Sequence, residues 1–177
     1  TAIRIDMATQ DTEPAPFDRF ERTVGAYDVG VRRVQPSAVR ETIADLLSGP
    51  AVGTPLDIEG ASLPEAVTTG PTTAELEAAE TGVTTASLAI AEYGSVVLRA
   101  TPEGSEPISL FNDLHVVVLR ESDIVPDMAT AFEWFGDELR ETRDSAIIAT
   151  GPSATADMGA LVQGAHGPKE VEVIVVQ

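Results

Sequence analysis

Six consecutive residues, Leu114-His115-Val116-Val117-Val118-Leu119, constrain the fold of this chain more than any other stretch. A strand with one wet face alternates apolar and polar residues. An unbroken apolar run instead reads as a strand covered on both faces, so the sheet that holds it needs a layer above and a layer below. The opening of the chain can supply them. Phe17, Phe20, Val24 and Tyr27 recur at helical spacing, Val31 to Val34 reads as a short strand, and Pro36-Ser37 starts a helix with Val39, Ile43 and Leu46 or Leu47 facing inward. Helix, strand, helix is how a layered α/β domain begins. The expectation is a single three-layer α/β/α domain with a largely parallel sheet over residues 17–177, after a loosely ordered N-terminal tail at 1–16. A chain of 177 residues suits one domain and is long enough to bury about 70% of its unfolded surface.

Gly49-Pro50 stops the second helix. The Gly- and Pro-rich residues 51–71 read as two brief strands or an irregular excursion. Thr72 and Glu75 form a capping box that opens a short helix ending before Gly82. Val83 to Thr85 reads as a strand, the alanine-rich Ala86 to Tyr93 as a helix-like segment, and Ser95 to Ala100 as a strand. Farther on, Met128, Phe132, Phe135 and Leu139 mark one face of a strong helix, with Trp134 off that stripe. Ala146 to Thr150 and Val171 to Val176 close the set of strands.

Charge narrows the function. Against 29 acidic residues stand 11 basic ones, a net charge of −18, and Lys169 is the sole lysine. No basic patch exists to displace counterions, which argues against a nucleic-acid partner. Carboxylates spread along the whole chain suit a halophile's surface, where they hold water and salt screens their repulsion. The sequence has no cysteine, which excludes disulfides, thiolate zinc, iron–sulfur ligation and a cysteine nucleophile in these residues. With two well-separated histidines, no metal site is expected. No run approaches the ~18 apolar residues of a spanning helix, and a cytoplasmic location is expected.

Candidate site residues gather near the end of the chain. After Thr150 the chain breaks at Gly151-Pro152 and offers Ser153, Thr155 and Asp157 within five residues. A short interval leads to Gly164-Ala165-His166-Gly167-Pro168-Lys169 and the last strand. Two glycine-punctuated bends beside strands can wall a pocket at the mouth of an α/β sheet. In the first, Ser153 and Thr155 can cap a helix beginning near Ala156, whose free amides would hold an anion unless Asp157 occupies them; Asp157 can equally act as a general base. In the second, the glycines let backbone approach a ligand beside His166. Against this stands a plain turn into the last strand, with Lys169 in a surface ion pair. Upstream, Glu92 lies in a small-residue segment, read as a partly buried carboxylate that either ties down the turn or contacts a ligand. His115, at a strand start, reads as a structural hydrogen-bonding group. No phosphate loop, dinucleotide fingerprint or zinc-protease motif occurs.

The stretches "GPSATAD" and "GAHGPKEVEVIVV", with "GVTTASLAIAEYGSVVL" and "LHVVVLRESDIVPDM" upstream, resemble the LUD-domain family of lactate utilisation proteins from about Thr72 to Gln177. The resemblance implies the architecture shared by glucosamine-6-phosphate isomerase, ribose-5-phosphate isomerase and coenzyme A transferases. It also implies a subunit of a lactate utilisation system that oxidises lactate to pyruvate together with iron–sulfur partner subunits, the clusters lying in those partners. The alternative is a stand-alone enzyme or binder for a sugar phosphate or an acyl-coenzyme A, with Glu92 (a nucleophile by analogy with the transferases), Asp157 or His166 as the reacting group. Ligand-binding candidates are Gly94, Ser95, Gly151, Ser153, Thr155, Gly164, His166, Gly167 and Lys169.

Overall fold

A computed structural model describes residues 14–142, 145–157 and 160–177, without the side chains of residues 139, 141, 142, 156, 157, 160 and 161. Residues 1–13 of the expected tail lie outside the described residues. The first helix, α1 (Pro16–Gly25), starts one residue before the expected boundary because Pro16 occupies its first turn, where a missing N–H costs nothing. Its buried side chains are Phe17, Phe20 and Val24. Then follow β1 (Gly30–Val34), α2 (Val39–Leu46), β2 (Ala51–Gly53), β3 (Val67–Thr69), α3 (Thr73–Ala78), β4 (Thr81–Thr85), β5 (Leu88–Ile90) and β6 (Ser95–Arg99). The second half holds α4 (Ser105–Phe111), β7 (Leu114–Arg120), β8 (Ile124–Val125), α5 (Met128–Thr142), β9 (Ala146–Thr150), β10 (Ala154–Asp157), β11 (Ala160–Gln163) and β12 (Glu170–Val176).

Six strands form a wholly parallel sheet in the order β1-β12-β7-β4-β2-β3. The apolar run Leu114 to Leu119 lies in β7, near its centre. Successive side chains of a strand point to opposite faces. Val116 and Val118 accordingly join a core with Val39 and Ile43 of α2, while Val117 and Leu119 join a core with Phe20 and Val24 of α1. The α/β class with a largely parallel sheet is therefore the observed one. On the α1 side the covering layer also contains a four-stranded, mostly antiparallel sheet, β8-β5-β6-β9, backed by α5.

Three local expectations are corrected. Residues 86–93 are not helical. Leu88 and Ile90 point toward α5 while Ala89 and Ala91 point into the α1 core, a large–small alternation that only a strand can serve. Tertiary packing here overrides alanine's helix propensity. On α5 the buried position is Ala131, with Met128, Trp134 and Phe135 packed beside it, and Phe132 is 63% exposed. The helix is thus rotated so that Trp134, expected off the stripe, belongs to it; the side chain of Leu139 lies outside the described residues. No helix forms near Ala156 either. Residues 154–157 and 160–163 instead pair as the antiparallel strands β10 and β11. Thr72 and Glu75 do form the expected reciprocal cap on α3, with Thr72 N–H donating to Glu75 Oε2 at 2.8 Å.

Candidate functional site

The two bends are stitched together through their backbones. Ser153 N–H donates to Pro168 O at 2.8 Å, and Gly164 N–H donates to Ser153 O at 2.9 Å. A β-carbon on Gly167 would stand 3.1 Å from that of Ser153, so the segments touch where only hydrogen fits comfortably. Gly151 has φ +63° and packs on Tyr27, a conformation that L side chains rarely adopt. The strand pair β10–β11 is therefore an excursion between two bends that meet at its base.

Beside that junction lies a cavity of about 240 Å³. Gly94, Gly151, Ser153, His166 and Gly167, all expected from the sequence, line it together. Its walls are apolar, with Val24, Val29, Val96 and Ile147 among them. No Asp, Glu, Lys or Arg lines it among the described residues. The cavity lies at a mouth of the sheet, and strand direction says which one. Val29 precedes β1, His115 is the second residue of β7 and Val171 the second of β12, so the cavity sits at the amino ends of the parallel strands.

The remaining candidates are placed as follows. Ser95 is buried beside the cavity, its hydroxyl 2.7 Å from that of Thr150, which does line it. Gly164 and His166 border an adjoining cleft with Asp113. Lys169 is exposed and pairs with that Asp113 at 2.7 Å, its stem lying over Gly164. Thr155 is on β10 and does not line the cavity. Asp157 ends β10, which removes the helix-terminus role proposed for it; its side chain lies outside the described residues. Glu92 is exposed, faces Arg19 at 3.8 Å and does not line the cavity, so the partly buried carboxylate expected there is not found. Its backbone N–H is taken by Pro126 O, and the turn into Gly94 points its side chain to solvent.

His115 is the residue whose place matters most beyond expectation. It is 3% exposed, its Nε2 lies 2.7 Å from Thr84 Oγ1, and it lines the cavity. Burial pushes its pKa down to about 4, so near neutrality it is an uncharged imidazole. Ser109 and Thr150 also line the cavity and carried no sequence signal. What results is a small apolar chamber whose hydrogen-bonding residues are two histidines, three hydroxyl residues and glycine backbone. Among the described residues no three His, Asp or Glu side chains group as metal ligands.

Residues 24–176 match the model of the LUD domain. Lactate utilization protein C of Deinococcus radiodurans is 36% identical over 85 residues, which span 47% of this chain and 40% of that protein. An uncharacterized protein of Escherichia coli K12, YkgG, is 33% identical over 88 residues, 48% of this chain and 38% of its own. This chain thus aligns with well under half the length of the curated relatives it matches. A crystal structure of a DUF162-family protein from D. radiodurans superposes with a TM-score of 0.74 at 26% identity, covering 92% of this chain and 96% of that one.

Proposed function

This chain belongs to the LUD-domain family, and from that premise we propose that it serves lactate utilisation as a subunit without redox chemistry of its own. In this reading iron–sulfur partner subunits carry electrons from lactate toward pyruvate. The chain has no cysteine to hold a cluster, and its two histidines serve elsewhere: His115 is bonded to Thr84 and His166 sits at the cavity. Among the described residues no helix is long and apolar enough to cross a membrane, and we place the protein in the cytoplasm. The acidic surface fits a saline interior.

One observation carries the reading: the bends around Ser153 and His166, 13 positions apart in the sequence, wall one chamber. A ligand held there sits between apolar walls, with His166 and Ser153 to orient its polar end. Neutral His115 accepts or donates one hydrogen bond without bringing in charge. Replacing His166 by Ala is expected to abolish lactate-dependent growth while leaving the melting temperature nearly unchanged, because the ring is exposed. Normal growth, or a defect explained by lost stability, would overturn the assignment. Copurification of iron–sulfur proteins from native extract tests the partners.

A further inference from the structure

The carboxyl ends of the parallel strands hold a second cavity, of about 500 Å³, to which no sequence motif pointed. Its position follows from topology. From the end of β2 the chain leaves toward the α2 face, where Leu56, Ile58 and Leu63 pack. From the end of β4, the neighbouring strand, it leaves toward the α1 face, where Ala86, Ala89 and Ala91 pack. Adjacent strands whose outgoing chains part to opposite faces leave a crevice between them, and such switch points are where open α/β sheets hold ligands.

Chemistry differs sharply from that of the amino-end cavity. Arg99 and Arg120 line the crevice, with Asp57 and Glu103 and the hydroxyl residues Thr85 and Ser105. Thr85 is paired with Val118 of β7, two residues before Arg120, so Thr85 and Arg120 leave the sheet on the same face of adjacent strands. The Thr85 Oγ1 is buried and has no hydrogen-bond partner among the described residues. Arg120 donates to the carbonyl of Asp57 and lies 3.5 Å from Asp123, contacts that fix its fork beside the crevice without using all five N–H donors. Arg99 is anchored by Glu138 at 2.8 Å.

We propose that this crevice is a second ligand site, taking a small hydroxylated carboxylate whose head group sits on Arg120 and Thr85. A guanidinium fork matches a carboxylate, and an orphan threonine hydroxyl supplies a further donor. Two arginines and two carboxylates already balance in the lining, so a singly charged head group is accommodated and a doubly charged phosphate is opposed. The volume suits a ligand of sugar-acid size rather than a two-carbon acid. The site is independent of the role assigned to His166.

Gluconate is the probe, with glucose 6-phosphate as the doubly charged comparison, each titrated at constant ionic strength while backbone amide NMR signals are followed. Gluconate should shift the signals of Thr85, Arg120 and their neighbours saturably and leave those around His166 in place. Arg120→Met should weaken binding about tenfold or more and Thr85→Val about threefold, as expected for losing a charged and a neutral hydrogen bond. If Arg120→Met does not fold, Arg120→Lys, which keeps the charge but not the fork, should still weaken binding severalfold. Absence of a saturable shift, shifts centred on His166, or affinity unchanged in the arginine and threonine variants would overturn the proposal. Tighter binding of glucose 6-phosphate would overturn the assignment of a carboxylate.

Discussion

The two ends of the parallel sheet are built from the same strands and have opposite chemistry. At the amino ends, β7 and β12 begin beneath α1, the smaller sheet and the joined bends, and the cavity between them has no Asp, Glu, Lys or Arg among its described lining residues. At the carboxyl ends the outgoing chains of β2 and β4 part, and the crevice is lined by two arginines and two carboxylates. Coverage is the physical difference. Charge that is roofed over by apolar layers costs several kcal/mol unless paired, so the covered end keeps only groups that can be neutral. The open end remains wet enough for ion pairs. The same sheet thus carries an apolar chamber at one end and a crevice lined by charged side chains at the other.

The sharpest way to break this contrast is to titrate the covered end. His115 has a folded pKa of about 4 against an ordinary value of 6.5, so between those limits the unfolded chain takes up a proton that the folded one refuses. Its contribution favours folding above pH 6.5 and is lost as pH falls toward 4, by on the order of 3 kcal/mol. Denaturant unfolding from pH 7 to 4 should therefore lose about that much more stability in the natural chain than in His115→Asn. Parallel pH profiles for the two would mean that His115 is charged or hydrated, and the covered end would no longer be an apolar chamber.

A smaller effect is expected at the element the two ends share. Helix α4 contributes Ser105 to the crevice and Ser109 and Leu110 to the amino-end cavity. It rests on Gly82, where an added β-carbon would meet Ile108 O at 2.3 Å and Asn112 Oδ1 at 2.6 Å. Gly82→Ala must push the helix away, costing about 2 kcal/mol as overpacking does. If the ends are coupled through α4, the variant alters both gluconate binding and the phenotype that depends on His166. A change at one end alone would show that they are independent.

How much of this was legible in the sequence follows the range of the forces involved. Val116 to Leu119 announced a doubly covered strand because burial on both faces writes itself into consecutive residues. The meeting of Gly94, Gly151, Ser153 and His166 was also legible, since the glycines that permit close approach stand beside the polar groups. The β5 strand was not, because Leu88-Ala89-Ile90-Ala91 acquires its two-residue period only when α5 and α1 supply opposite faces. Nor was the end of the sheet at which the bends lie, a matter of strand direction that no local pattern encodes. The crevice was invisible for the same reason: Thr85 and Arg120 stand 35 positions apart and meet only through the pairing of β4 with β7.

Asp127 gives a control, lining neither cavity. Its Oδ1 accepts from the backbone N–H of Thr130 at 2.8 Å and from the hydroxyl at 2.9 Å, which holds its carboxyl below the usual range. This cap favours folding at neutral pH and is lost as the carboxyl protonates in acid. Asp127→Ala should lower the melting temperature by a few degrees, with the deficit vanishing in strong acid, and leave gluconate binding intact. Weakened binding would mean that general loosening, and not local chemistry, governs the crevice.

The smallest effect is expected at Lys169, the lone lysine and a candidate from the sequence. Its sequence context allows either a ligand contact or a surface ion pair, and the structure has it paired with Asp113, both side chains more than half exposed. Exposed pairs contribute little because water screens them and two mobile side chains must be ordered. Lys169→Met should shift unfolding by no more than about 0.5 kcal/mol. Lys169 does not line the cavity holding Ser153 and His166, so lactate-dependent growth should also survive the change. Loss of growth with stability intact would bring a cation into the working site, and the apolar character assigned to the amino end would have to be given up.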